Sequence, residues 1–291
     1  MRWLASLIGL GILLGVGLCI AGARANADGG ALPSSQMDAG FHQLYEMRFA
    51  EARTEFHAWE KGQPNDAMGP MAEAASYLFE EFNAQGVLSS EYFLDDEHFL
   101  GGKPLKPNQE RRAAFEAAVG CTEKLARARL HDHPDDANAL LALSATEGMR
   151  ADYASIIEKK QIESLGLLKD ADTTARRVLA IDPSLADANV SIGTAQYIIG
   201  CLPPYKRFIL WFGGIHGDRA AGMERLRMTA ENGHYLRPYG QLMLALAALR
   251  EKQNDLARTE LQQLVAEFPD NPAFSRELEK LNQQGVSAEP R

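Results

Sequence analysis

Cysteine is scarce in this chain. Three cysteines occur in 291 residues, at Cys19, Cys121 and Cys201, which is too few for a fold held together by disulfide bonds. We predict that Cys121 and Cys201 are buried free thiols in helices, because cysteine is among the most frequently buried residue types. On separate helical units they would also lie farther apart than the roughly 5.5–6 Å Cα separation that a disulfide requires.

Basic residues are also fewer than acidic ones. The chain carries 30 basic and 39 acidic residues, a formal net charge of −9. Such a surface repels nucleic acid and anionic lipid headgroups, so we expect neither as a partner. The contents of 24% charged and 46% hydrophobic residues are typical of a folded chain and argue against disorder.

The chain lacks a complete set of residues for catalysis. No serine falls in a Gly-x-Ser-x-Gly sequence. Gly213, Gly214 and Gly217 lack the spacing of a dinucleotide-binding loop, and no Gly-Lys-Ser/Thr follows them. We therefore predict no enzymatic activity and no cofactor. An enzyme without a recognisable motif, its site split across several helices, is the alternative.

The histidines do not form a metal-binding motif. His131 and His133 lie two residues apart at an expected helix end, where their rings project in different directions. No Cys or Glu-x-x-His partner follows them, so we predict no metal site. The other five histidines are scattered singly, at His42, His57, His98, His216 and His234.

A long apolar run occurs at the N-terminus. Residues 4–23 are uncharged and mostly apolar, and the small residues Ala25 and Ala27 soon follow, as a signal peptidase requires. We predict a signal peptide over residues 1–27 and a flexible stretch over 28–35, and hence a periplasmic or secreted protein. An uncleaved inner-membrane anchor facing the periplasm is the alternative, because the run approaches the roughly 20 residues that span a bilayer.

A spaced pattern recurs along the rest of the chain. A small residue is followed by an apolar residue four positions on, another three further on, and a proline five later. This spacing places the first three residues on one stripe of a helix, which the proline then ends. The pattern occurs at Ala52, Phe56, Trp59 and Pro64; at Ala171, Ala175, Val178 and Pro183; at Ala257, Leu261, Leu264 and Pro269; and, as a weaker copy, at Cys121, Leu125 and Pro134. Neighbouring amphipathic segments carry a small residue where two helices would cross, such as Gly40, Gly193 or Ala245.

These features resemble the tetratricopeptide repeat (TPR) family, whose unit is a helix–turn–helix of roughly 34 residues. The resemblance implies an all-α fold, namely a right-handed superhelical solenoid of antiparallel helix pairs over residues 36–285, with a disordered tail over 286–291. Insertions interrupt the family unit near 86–107, 154–169 and 201–217. Repeat arrays place such insertions on one face, which is often the binding face.

The resemblance also implies a function. Tetratricopeptide arrays hold peptides or proteins on a concave inner surface, which is lined by the first helix of each pair. We therefore expect a non-enzymatic exported scaffold or adaptor with a protein or peptide partner. A membrane-anchored structural component of a cell-envelope complex is the alternative. The expected partner-binding residues are Asn189, Gln196, Tyr197, Trp211, Tyr239, Gln241 and Arg250.

The most unusual stretch is YKRFILWFGGIHGD, residues 205–218, in which five apolar residues from Phe208 to Phe212 are contiguous. Five consecutive apolar residues do not form one stripe of a surface helix, and fully exposed they would promote aggregation. We expect a short helix or turn folded back as a plug in the core. The alternatives are a patch that faces a partner, and membrane contact with Lys206 and Arg207 at the headgroups.

Overall fold

The computed structural model describes residues 35–95, 103–212 and 216–287, and these ranges contain helices and no strand. The α-helices are α1 (Gln36–Tyr45), α2 (Phe49–Gly62), α3 (Met68–Ala84), α4 (Ser90–Leu94), α5 (Gln109–Asp132), α6 (Ala137–Asp152), α7 (Gln161–Ile181), α8 (Asn189–Cys201), α9 (Pro204–Phe212), α10 (Arg219–Asn232), α11 (Arg237–Arg250), α12 (Asn254–Glu267) and α13 (Pro272–Ser287). A π-helical turn, Tyr153–Ile157, follows α6, and a 3₁₀ turn, Ala186–Ala188, precedes α8. The prediction of an all-α fold is confirmed.

Several sequence predictions fall on residues that the structure does not describe. The predicted signal peptide or anchor over 1–27 lies outside the described residues, as does nearly all of the predicted flexible stretch 28–35. Residues 96–102 and 213–215, which belong to two of the predicted insertions, lie outside them as well. α13 extends to Ser287, so the predicted tail begins inside a helix. No helix within the described ranges is long and apolar enough to cross a bilayer.

The recurring pattern forms the buried stripe of α2, α7 and α12. Its small and apolar residues are buried in all three helices, apart from the half-buried Trp59. These helices end at Gly62, Ile181 and Glu267, each two residues before the proline of its pattern. Proline disfavours the helical conformation in the residue that precedes it, which accounts for the constant distance.

The weaker copy of the pattern has a different register from the predicted one. Cys121 is exposed, and the next residue, Thr122, is buried in its place, followed by Ala126 four positions on. Thr122 tolerates burial because its hydroxyl donates a hydrogen bond to the carbonyl oxygen of Ala118 (3.0 Å). The prediction of a buried Cys121 is therefore wrong, and Cys201 is half-buried; both are free thiols.

Small residues let the helices cross closely. A Cβ atom added at Gly40 would lie 2.3 Å from Cε1 of Phe56, so α1 packs directly on this ring of α2. A Cβ at Gly193 would lie 2.9 Å from the carbonyl oxygen of Gly222, and one at Gly222 would lie 2.6 Å from the backbone nitrogen of Tyr197. α8 and α10 therefore cross at a pair of facing glycines.

The helices group into five pairs, α1–α2, α3–α5, α6–α7, α8–α10 and α11–α12, with α13 last, and consecutive members pack in series. The first helices also contact the last ones. The hydroxyl of Tyr45 donates to the carbonyl oxygen of Tyr235 (2.9 Å), and Nδ2 of Asn271 donates to that of Tyr45 (2.7 Å). Nζ of Lys280 pairs with Glu91 at 2.7 Å. These contacts bring α1 and α4 against the C-terminal helices.

Candidate functional site: a central apolar cavity

Two adjoining cavities of about 70 and 60 Å³ lie among the first helices of the five pairs, and α4, α7 and α13 complete their walls. α1, α3, α6, α8 and α11 each contribute to their walls. Six residues line both of them: Leu44, Tyr45, Phe79, Phe82, Asp152 and Tyr239. We refer to the two together as the central cavity.

Aromatic rings dominate the shared wall of the central cavity. The rings of Tyr45 and Phe79 lie edge to face with centroids 6.4 Å apart, and those of Phe79 and Tyr239 do so at 5.8 Å. This arrangement is favoured by the charge distribution of aromatic rings. The hydroxyl of Tyr45 is already bonded to the backbone of Tyr235, and burial raises the pKa of Tyr45 well above its ordinary value. The wall therefore offers mainly uncharged, apolar surface.

Asp152 places a carboxyl group in this apolar wall, at the C-terminal end of α6. The hydroxyl of Tyr239 donates a hydrogen bond to its Oδ2 at 3.1 Å. Desolvation raises the pKa of Asp152 to about 7, although the hydrogen bond from Tyr239 acts in the opposite direction. The carboxyl therefore titrates near neutral pH, so it can accept a hydrogen bond when ionised and donate one when protonated.

α4 covers one end of the central cavity. Ser90 and Phe93 from this short helix line the larger cavity. Nη1 of Arg250 donates to the carbonyl oxygen of Phe93 (2.6 Å), and Nζ of Lys159 donates to the hydroxyl of Tyr92 (2.7 Å). Together with the Lys280–Glu91 ion pair, these bonds fix α4 to three other parts of the chain.

Three of the predicted partner-binding residues are buried and engaged in internal hydrogen bonds. Nδ2 of Asn189 donates to the carbonyl oxygen of Ala186 (3.1 Å), and Nε2 of Gln241 donates to Oε1 of Gln263 (2.7 Å). The hydroxyl of Tyr197 donates to the carbonyl oxygen of Ala247 (3.2 Å). Oδ1 of Asn189 also accepts from Nη1 of Arg225 on α10 (2.9 Å). In this conformation the three side chains therefore join neighbouring helices and present little surface to a partner.

The other four predicted residues do not form one cluster. Tyr239 lies in the wall of the central cavity, and Arg250 holds α4 over its end. Gln196 is half-buried in α8, where its Oε1 is buried without a hydrogen-bond partner among the described atoms. Trp211 is exposed on α9. Of the seven, only Tyr239 is placed in the central cavity.

The stretch predicted to plug the core forms the surface helix α9. Tyr205, Phe208 and Trp211 are 65%, 62% and 56% exposed, and their spacing of three places them along one side of the helix. Leu210 is half-buried and packs on the cluster that contains Ile199. The prediction of a core plug is therefore wrong for these side chains. The apolar run divides between an inward contact and an outward aromatic stripe.

No family model matches this chain, and no curated protein sequence matches it either. The resemblance to tetratricopeptide repeats therefore stays a prediction from the pattern of residues. The central cavity and the α9 stripe, defined by Tyr205, Phe208 and Trp211, are the structural features from which a function can be inferred.

Proposed function

We propose that this protein is a non-enzymatic, exported binding protein with the TPR-like arrangement, a right-handed solenoid of antiparallel helix pairs. In this proposal it holds a protein or peptide partner by an apolar anchor residue in the central cavity. One observation carries the proposal: the first helix of each of the five pairs contributes residues to the cavity wall. Tetratricopeptide arrays use this inner surface for their partners.

The size of the central cavity favours a side chain over a whole small molecule. A single water occupies about 10–15 Å³ by the same measure, so cavities of about 70 and 60 Å³ each hold a group of a few heavy atoms. That is the size of a leucine or phenylalanine side chain. An anchor residue on a larger partner fits this space better.

Selection of peptides from a random displayed library tests the proposal. We expect the peptides that bind the wild-type protein to share one large apolar residue. Leu242→Trp places a larger side chain in the wall of the larger cavity and should lower peptide recovery at least tenfold. The matched control is Ile162→Trp, at a position 89% exposed on α7, which should bind like wild type.

Circular dichroism and thermal unfolding establish that both tryptophan variants are folded. Equal recovery of peptides on Leu242→Trp and Ile162→Trp would show that the cavity does not receive the anchor. Recovery of peptides without a shared apolar residue would lead to the same conclusion.

The α9 stripe favours a second candidate function, a membrane-associated structural component of a cell-envelope complex. Tyrosine and tryptophan are enriched where proteins meet the membrane–water interface. Arg207, next to the stripe, is exposed and suits the headgroup region. The excess of acidic residues in the chain favours zwitterionic over anionic lipid.

Quenching of tryptophan fluorescence by brominated phosphatidylcholine vesicles tests this second candidate. For this measurement Trp3 is replaced by phenylalanine in every variant, so that Trp59 and Trp211 are the remaining tryptophans. We expect the vesicles to quench the fluorescence, and we expect Trp211→Phe to abolish this quenching. Trp59→Phe, which changes a half-buried residue, should leave the quenching in place. Quenching that survives Trp211→Phe would exclude insertion of the α9 stripe.

A further inference from the structure

A group of metal-ligating side chains lies between α2 and α3, apart from the central cavity. His57 and Glu60 are one turn apart on α2, and Glu73 faces them from α3. One ligand atom from each residue lies within 4.8 Å of the other two. Nε2 of His57 and Oε1 of Glu73 are 2.9 Å apart. None of the three residues lines the central cavity.

The charges in this group are incompletely balanced. Oε1 of Glu60 is buried and has no hydrogen-bond partner among the described atoms. Glu60 and Glu73 contribute two carboxylates to this group, and His57 is the one basic side chain among the three. A cation between the carboxylates would relieve their repulsion and give the buried oxygen a partner.

The local backbone makes room for this arrangement. A Cβ atom added at Gly69, at the start of α3, would lie 2.5 Å from Cγ of Glu60. The side chain of Glu60 therefore occupies space that only a glycine leaves free. Nε1 of Trp59 donates to Oδ2 of Asp66 (3.1 Å), and Oδ1 of Asp66 accepts from the backbone nitrogen of Met68 (2.9 Å). These bonds fix the turn between α2 and α3, and with it the separation of the three ligands.

We propose that His57, Glu60 and Glu73 bind a divalent transition-metal ion, with Zn²⁺ the best match. One imidazole nitrogen and two carboxylate oxygens form a ligand set that zinc accepts, with water in the fourth position. A histidine and a glutamate one turn apart, completed by a glutamate from a neighbouring helix, also match the way helical bundles hold metals. Ca²⁺ and Mg²⁺ favour oxygen-only sites. The bound ion joins α2 to α3 and so stabilises the first helices of the fold.

Calorimetric titration of tag-free, metal-stripped protein with zinc chloride tests this site. We expect one saturable site, with affinity at least tenfold weaker in His57→Ala and in Glu60→Gln. His57 is largely exposed, so its removal leaves packing intact. The control is His131→Ala, which removes an exposed histidine that also lies beside a carboxylate and should bind zinc like wild type.

A thermal-unfolding series with and without zinc provides a second measurement that does not depend on calorimetric heats. Zinc should raise the melting temperature of wild type and His131→Ala, because it binds the folded state. It should leave the melting temperatures of His57→Ala and Glu60→Gln unchanged. Absence of a saturable site in wild type, or wild-type affinity in both His57→Ala and Glu60→Gln, would overturn the proposal.

Discussion

Gly222→Ala should lower the free energy of unfolding by about 3 kcal/mol, whereas Gly166→Ala should raise it by about 0.5–1 kcal/mol. The new Cβ at position 222 would lie 2.6 Å from the backbone nitrogen of Tyr197 and 2.9 Å from the carbonyl oxygen of Gly193. Backbone atoms cannot rotate away as a side chain can, so α8 and α10 must separate. At Gly166, on the exposed side of α7, an added Cβ meets no atom within 4 Å. There alanine only improves helix propensity.

Urea denaturation followed by circular dichroism measures both changes. The two substitutions add the same methyl group to a helical glycine, so their opposite signs isolate the effect of the crossing. If both variants shift the urea midpoint in the same direction by a similar amount, the result would contradict close packing of α8 on α10 at this glycine pair.

Asp152→Asn should raise the free energy of unfolding at about pH 8 by about 2 kcal/mol and flatten its pH dependence. The pKa of Asp152 rises from its ordinary value of 3.8 to about 7 in the fold. Below about pH 4 the carboxyl is protonated in both states. Between about pH 4 and pH 7 the unfolded chain releases its proton while the folded protein retains it, so stability falls as pH rises.

The full rise in the pKa of Asp152 would lower the free energy of unfolding by about 4 kcal/mol above about pH 7. We expect about half of it, because the carboxyl faces the cavity and is not fully enclosed by packed atoms. Asparagine can still accept the hydrogen bond from Tyr239 without bearing a charge. Denaturation curves over this pH range test the effect, with Asp135→Asn as an exposed control. Parallel pH profiles for wild type and Asp152→Asn would contradict the raised pKa of Asp152.

The individual helices follow from local spacing. The stripe in α7, for example, consists of Ala171, Ala175 and Val178, and the proline at position 183 ends the helix. Both features depend on residues within a few turns of each other, so the sequence is sufficient to predict them. The crossing at Gly193 was predicted in the same way. Its partner Gly222 was not, because no repeated pattern surrounds it and only the packing of α10 brings it there.

The central cavity could not be predicted because it depends on distant contacts. Tyr45 and Tyr239 share its wall although 194 positions separate them, since the C-terminal helices pack on α1. The same contacts bury residues that a simple helical array would leave on its inner surface, such as Gln241. Asp152 showed no pattern of its own. The sequence shows only that an acidic residue follows an apolar helical segment, which does not indicate a cavity.

The α9 stripe and the proposed metal site could not be located from the sequence, for different physical reasons. The apolar run of α9 is expected in the core because apolar residues are usually buried, but only Leu210 is seen to pack inward, and the α9 stripe faces outward. At the proposed metal site, His57 and Glu60 are separated by three positions, a spacing visible in the sequence. The third ligand, Glu73, joins them only when α2 packs against α3.

The affinity of one selected peptide for three proteins tests the central claim most directly. The peptide is titrated into wild type, Leu242→Trp and Ile162→Trp, and its dissociation constant is measured for each. An anchor residue in the central cavity predicts at least tenfold weaker binding to Leu242→Trp and an unchanged constant for Ile162→Trp. Equal dissociation constants for all three proteins would contradict binding in the cavity.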